Sequence, residues 1–186
     1  MASLRRTCVV LAALTGALVF AQPVIAIESD AAVSPLLLRA DQQARLMPTA
    51  SDGSFMIVSD RKKTLAIRSP FKAKSGQEVR LDRACNLSIP ECRWILRDGM
   101  LISAANPSMA IKAWGGAQHS TILRLNNACA TNNPDCVWII NKGMLTSQRD
   151  PRLSINAWGG AEHGISLRLH NECKPNNPDC TWSPVK

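Results

Sequence analysis

The chain has 186 residues, 46% of them apolar, with 22 Lys and Arg against 14 Asp and Glu and a formal net charge of +8. That is room for one cored domain with or without an arm, and a charged fraction of 19% with 10 Gly and 11 Pro argues against both a disordered tail and a collagen-like repeat. Seven cysteines, an odd number, stand beside no tyrosine at all, so one cysteine needs its own explanation.

The N-terminus supplies it. Arg5 and Arg6 precede an apolar run from Cys8 to Phe20, and Ala21-Gln-Pro-Val-Ile-Ala26 then offers small residues for cleavage after Ala26. This order predicts a secretory signal peptide over residues 1–26, because the run is too short to span a bilayer. Removal of that segment takes Cys8 with it and leaves six cysteines and a net charge of +6. No second apolar run of membrane length follows, so the expected product is secreted or periplasmic. Six cysteines in an oxidising compartment predict three disulfides. Residues 27–52, with a short helical pattern around Leu36-Leu-Leu-Arg-Ala40, read as an N-terminal arm or linker.

From residue 53 onward a period governs the chain. The cysteines fall as Cys85/Cys92, Cys129/Cys136 and Cys173/Cys180, and a tryptophan follows each pair by two residues, at Trp94, Trp138 and Trp182. Each series steps by 44, as do Met56/Met100/Met144, Ile67/Ile111/Ile155, Arg80/Arg124/Arg168 and Leu81/Leu125/Leu169. Units 53–96, 97–140 and 141–184 align without a gap, and the second and third agree at 23 of 44 positions. Within each unit, stretches such as Leu153-Ser-Ile-Asn-Ala-Trp158 and Ser166-Leu-Arg-Leu-His170 alternate with period 2 between turn residues, which predicts short strands. Asp98-Gly99 and Lys142-Gly143 read as tight hairpin turns between one unit and the next. Three all-β units that cannot bury their apolar faces alone predict a closed, pseudo-threefold β-trefoil over residues 53–186. A propeller needs more blades, and a solenoid leaves an edge open.

The third unit, Leu-Ser-Ile-Asn156 … Gly164 … Leu-Arg168-Leu-His170 … Asp179-Cys180-Thr-Trp182, resembles the ricin B-type (R-type lectin) β-trefoil repeat. The resemblance covers residues 53–182 and implies a non-catalytic glycan-binding module. That family closes each unit with Gln-x-Trp, whereas cysteine takes the glutamine place in all three units here. Carried over by position, the family's acidic residue falls on Arg68, Lys112 and Asn156. Its aromatic falls on Asp82, Asn126 and His170, and its polar pair on Glu91-Cys92, Asp135-Cys136 and Asp179-Cys180. No unit keeps the acidic residue and only the third keeps a ring, so unit three is the best candidate, with Asn156, Trp158, His163, Arg168, His170 and Asp179 as ligand-binding residues. Trp114 and His119 are their counterparts in unit two.

The remaining features admit two readings each. The Cys-x6-Cys spacing suits one disulfide per unit, Cys85–Cys92, Cys129–Cys136 and Cys173–Cys180; a zinc site would need four neighbouring ligands, and no metal or other cofactor is expected. Trp114 and Trp158, inside Ala-Trp-Gly-Gly-Ala, are either sugar-stacking platforms or packing over a hairpin. Arg80, Arg124 and Arg168 recur with Glu91, Asp135 and Asp179, which predicts a structural Arg–carboxylate pair in each unit ahead of direct ligand contact. Residues 53–96 carry net +5 and the later units +1 each. Arg61, Lys62, Lys63, Lys72 and Lys74 therefore predict a basic patch that suits an anionic glycan or membrane surface, while nucleic acid is not expected. No nucleophile–base pair or paired-carboxylate motif suggests an enzyme. The alternative to a lectin is a trefoil that has lost its sugar sites and binds protein, as a toxin-delivery subunit or an inhibitor does.

Overall fold

A computed structural model describes residues 52–186. The predicted signal peptide and almost all of the predicted arm lie outside the described residues. The period of 44 becomes four strands per unit. Unit one contributes β1 (Phe55–Ser59), β2 (Ala66–Arg68), β3 (Arg80–Asp82) and β4 (Arg93–Arg97). Unit two contributes β5 (Met100–Ser103), β6 (Ala110–Ala113), β7 (Leu123–Asn126) and β8 (Trp138–Asn141). Unit three contributes β9 (Met144–Ser147), β10 (Ser154–Ala157), β11 (Leu167–His170) and β12 (Trp182–Val185). The fold is the expected β-trefoil.

The first and fourth strands of each unit build the barrel. β1 is hydrogen-bonded to β4 on one side and to β12 on the other, with Met56 opposite Val185 and Ser59 opposite Trp182. The two-residue turns Asp98-Gly99 and Lys142-Gly143 join β4 to β5 and β8 to β9, all four residues at positive φ, as a twisted hairpin requires. The middle strands form hairpins in one common register, Ile67 opposite Leu81, Ile111 opposite Leu125 and Ile155 opposite Leu169. These hairpins lean on one another around the pseudo-threefold axis. Val79 N–H donates to the Leu123 carbonyl, Leu167 N–H to the Val79 carbonyl and Leu169 N–H to the Thr121 carbonyl.

Alternation places the same side chains inside in each unit. Ile57, Ile67, Leu81, Leu101, Ile111, Leu125, Leu145, Ile155 and Leu169 are buried in one cluster with Trp94, Trp138 and Trp182, and Phe55 joins it without a counterpart in the other units. Each of those indoles donates through Nε1 to a strand carbonyl of its own unit, Ile67 at 2.9 Å, Ile111 at 3.2 Å and Ile155 at 3.1 Å. The three predicted disulfides are present, Cys85–Cys92, Cys129–Cys136 and Cys173–Cys180, each just before a core tryptophan.

Gly99 and Gly159 separate two kinds of glycine. Both have positive φ, +78° and +81°, but a Cβ on Gly99 would stand 2.6 Å from Val137 Cγ1, whereas a Cβ on Gly159 meets nothing within 4 Å. Gly159→Ala therefore incurs only the left-handed backbone cost of ~1 kcal/mol, and Gly99→Ala adds a core clash for roughly twice that or more. Chemical denaturation of the two variants checks this. Equal losses would mean that Val137 yields freely.

Candidate functional site

At the mouth of each unit, the chain leaves the second strand, makes a two-glycine or Pro-Phe turn, and returns past the disulfide loop. Three open hollows result, related by the pseudo-threefold axis. The hollow of unit three is lined by Asn156, Trp158, Gly159, Gly160, Asp179 and Arg61, with His170, Glu162 and Asn177 completing it. The counterpart in unit two has Lys112, Gly115, Gly116, Asp135 and Arg149, and that of unit one has Phe71, Lys72, Lys74, Glu91 and Ala105.

Local chemistry builds the unit-three hollow. Asn177 accepts from the Asp179 N–H at 3.0 Å, an Asx turn that Pro178 pre-sets, so the Asn-Pro-Asp-Cys sequence delivers the Asp179 carboxylate into the opening. Asn156, buried on β10, donates through Nδ2 to the Asp179 carbonyl at 3.3 Å and to Cys180 Sγ at 3.2 Å. Of that amide, Oδ1 is left for a ligand. Gly159 and Gly160, at φ +81° and +107° with open space where side chains would stand, keep the backbone beside Trp158 accessible.

The rings come from two units. His119 of unit two packs against Trp158 and His170, with centroids 5.4 Å and 4.9 Å away, and Trp158 lies 5.5 Å from His170. Arg168 does not line the hollow. Its guanidinium sits 5.5 Å from the Trp158 ring and holds the indole from behind by a cation–π contact. His163 stands elsewhere, where its Nδ1 accepts from the Arg83 N–H and lies 3.6 Å from the Asp82 carboxylate. Trp114, 42% exposed, lies outside the lining of the unit-two hollow, with the Arg124 guanidinium 6.0 Å from its ring.

The expected pairing of Arg80, Arg124 and Arg168 with Glu91, Asp135 and Asp179 does not occur. Arg168 of β11 lies against Trp158 instead, and the other two, on β3 and β7, meet near the axis. Arg80 and Arg124 there share Glu78, each at 3.1 Å. The loop carboxylates instead take an arginine from a neighbouring unit. Arg61 clasps Asp179 and Arg149 clasps Asp135. Position 105, one period between Arg61 and Arg149, is alanine, and Glu91 beside it has no such clasp. Sequence reasoning missed Arg61 and Arg149 because only two of the three repeats carry them. Glu78 was visible as a break in the period, since its counterparts are Ile122 and Ser166.

The basic residues of unit one likewise do not make one patch. Arg61 and Lys63 are paired with Asp179 and Asp60, Lys62 faces a hollow shared with Arg83, and Lys72 and Lys74 line the separate opening beside Glu91. Among the described residues no group of three His, Cys, Asp or Glu gathers as metal ligands.

Glu78 is the best-held carboxylate at the axis. A hydrogen bond from Ser166 chiefly lowers its pKa below the ordinary 4.5, outweighing burial, with Arg80 and Arg124 adding to it. Asp82 is lowered too, from 3.8. Burial alone would raise it, but the Ala84 N–H and Arg68 prevail. Both groups have lower values folded than unfolded, so their stabilisation is complete above the unfolded value and is lost as pH falls through the folded one. The melting temperature is expected to hold down to pH ~5 and to drop below ~4.5, with Glu78→Gln flattening the acid limb. An unchanged limb in that variant would remove Glu78 from the account. Installing the missing clasp, Ala105→Arg, is expected to add no more than ~1 kcal/mol, as for other exposed pairs, in denaturant unfolding.

No protein-family model matches the chain, and neither does any curated protein sequence. Solved structures do. The C-half of an earthworm R-type lectin in complex with GalNAc is 15% identical, with 71% of this chain and 97% of that one covered at a TM-score of 0.58. The designed threefold-symmetric protein ThreeFoil is 12% identical, over 73% and 99%, at 0.60. The β-trefoil lectin of the Vibrio vulnificus hemolysin/cytolysin with N-acetyl-D-lactosamine bound is 16% identical, over 71% and 93%, at 0.56. At these identities the likeness is one of fold.

Proposed function

We propose that the chain is an exported, non-catalytic carbohydrate-binding trefoil whose glycan site is the hollow of unit three. The observation that carries this reading is the convergence of Trp158, His170, the buried Asn156 amide and Asp179 on one open hollow. An aromatic face suits the C–H face of a pyranose, and the amide and carboxylate suit its hydroxyls. His119, outside that lining, packs against both rings, and Arg168 acts by holding Trp158 in place. Trefoil lectins of the same fold hold GalNAc and N-acetyl-D-lactosamine, which supports the ligand class. Three disulfides support passage through an oxidising compartment, in line with a signal peptide at residues 1–26.

One observation favours the second reading, a trefoil that binds protein instead. Asp179 and Asp135 are already claimed by Arg61 and Arg149, and Phe71 and Trp114 present exposed aromatic surface outside the unit-three hollow.

A glycan array on the folded protein separates the two. Retention of a defined glycan set is expected, with Trp158→Ala and His170→Ala each weakening it about tenfold or more, equivalent to ~1.4 kcal/mol. Arg168→Ala is expected to weaken it less. A blank array at low salt would reject the lectin reading.

A further inference from the structure

The unit-three hollow does not end at Trp158. Its wall at Glu162 is shared with a second hollow, lined by Lys62, Thr64, Leu65 and Arg83 and bounded by His163. His163 in turn borders a third cavity of about 480 Å³ around the pseudo-threefold axis, walled by Arg68, Arg80 and Arg124. The three openings are neighbours, the first and second sharing Glu162 and the second and third sharing His163.

Their chemistry changes along the way. The second and third openings hold five cationic side chains against three carboxylates. Two of those carboxylates are taken, Asp82 by Arg68 at 2.6 Å and Glu78 by Arg80 and Arg124 together. One carboxylate between two guanidiniums leaves donors unspent, since each fork carries five N–H groups. Lys62 and Arg83 have no carboxylate partner within ion-pair distance among the described residues. The remaining acid, Glu162, stands at the boundary with the first hollow, where a neutral sugar would lie. At the far end Phe71, 68% exposed, offers a second aromatic face beside Arg80 and Arg124.

We propose that these adjoining openings together bind an acidic oligosaccharide, one neutral sugar seated at Trp158 and His170 and the anionic groups that follow held by Lys62 and Arg83 and then by Arg80 and Arg124, with Phe71 stacking on the last ring. The inference rests on the reading of unit three as a sugar site and assigns its ligand class. Carboxylate and sulfate share the chemistry that guanidinium forks recognise. The cationic run is contributed mainly by unit one, whose own hollow lacks both the arginine clasp and the two-glycine turn, so unit one serves the site of unit three.

Calorimetric titration tests this with a hyaluronan tetrasaccharide, its carboxyl-reduced counterpart and a chondroitin sulfate tetrasaccharide. The intact protein is expected to bind the acidic tetrasaccharides at least tenfold more tightly than the reduced one, with the preference shrinking as salt is raised. The double variant Lys62→Glu, Arg83→Glu is expected to abolish that preference while leaving the reduced tetrasaccharide bound as before, and Arg80→Gln to lower it. Trp158→Ala is expected to weaken all three. Tighter binding of the chondroitin sulfate probe than of hyaluronan assigns a sulfate contact, since both carry the carboxylate, and equal binding of the two assigns the carboxylate. Equal binding of acidic and reduced tetrasaccharides overturns the proposal and leaves the unit-three sugar site standing. So does a preference that survives the double reversal. Acidic binding indifferent to Trp158→Ala, with no binding of the reduced probe, overturns both.

Discussion

The indole N–H groups of Trp94, Trp138 and Trp182 donate to the carbonyls of Ile67, Ile111 and Ile155, each 27 residues earlier, in the dry centre of the barrel. A buried donor without a partner costs about as much as several well-packed methyl groups contribute, so this bond dictates where the closing strand of a unit can sit relative to its second strand. Once that distance is set, the chain between them must turn back through the disulfide loop. The loop carboxylate and the second-strand amide then arrive at the same opening. The hollow is a by-product of satisfying a tryptophan.

The repetition of that constraint made most of the fold legible. A residue needed at every copy appears at every copy, and the period of 44 in Cys, Trp, Met, Ile and Leu reports the barrel, the staples and the core directly. What the period could not report is anything one copy does for another. Arg61 reaches Asp179 across 118 residues, and His119 joins the ring cluster of Trp158 and His170. Both contacts cross unit boundaries, where sequence separation says nothing about distance. The recurrence of Arg80, Arg124 and Arg168 with the loop acids misled for the same reason. Two series with one period need not touch: Arg80 and Arg124 meet Glu78, Arg168 meets Trp158, and Asp135 and Asp179 meet arginines of other units.

Departures from symmetry therefore mark where this chain differs from three identical parts. Glu78 at the axis, Ala105 at the rim and Pro70-Phe71 in place of Trp-Gly all fall in or next to unit one. The third unit keeps the rings and the buried amide. Such departures can fall in one opening alone because each is built from its own loops plus one neighbour's.

The pairing of β1 with β12 has a further, temporal consequence. The disulfides close loops of only seven residues and the tight turns join neighbouring strands, so those parts can form as the chain appears. The first strand cannot. Its partner from Met56 to Ser59 is the last strand of the barrel, and without that strand one side of β1 is a bare edge with its backbone groups unpaired. Closure of the barrel therefore spans nearly the whole described chain, and any state in which it is undone exposes an edge open to pairing with a stranger.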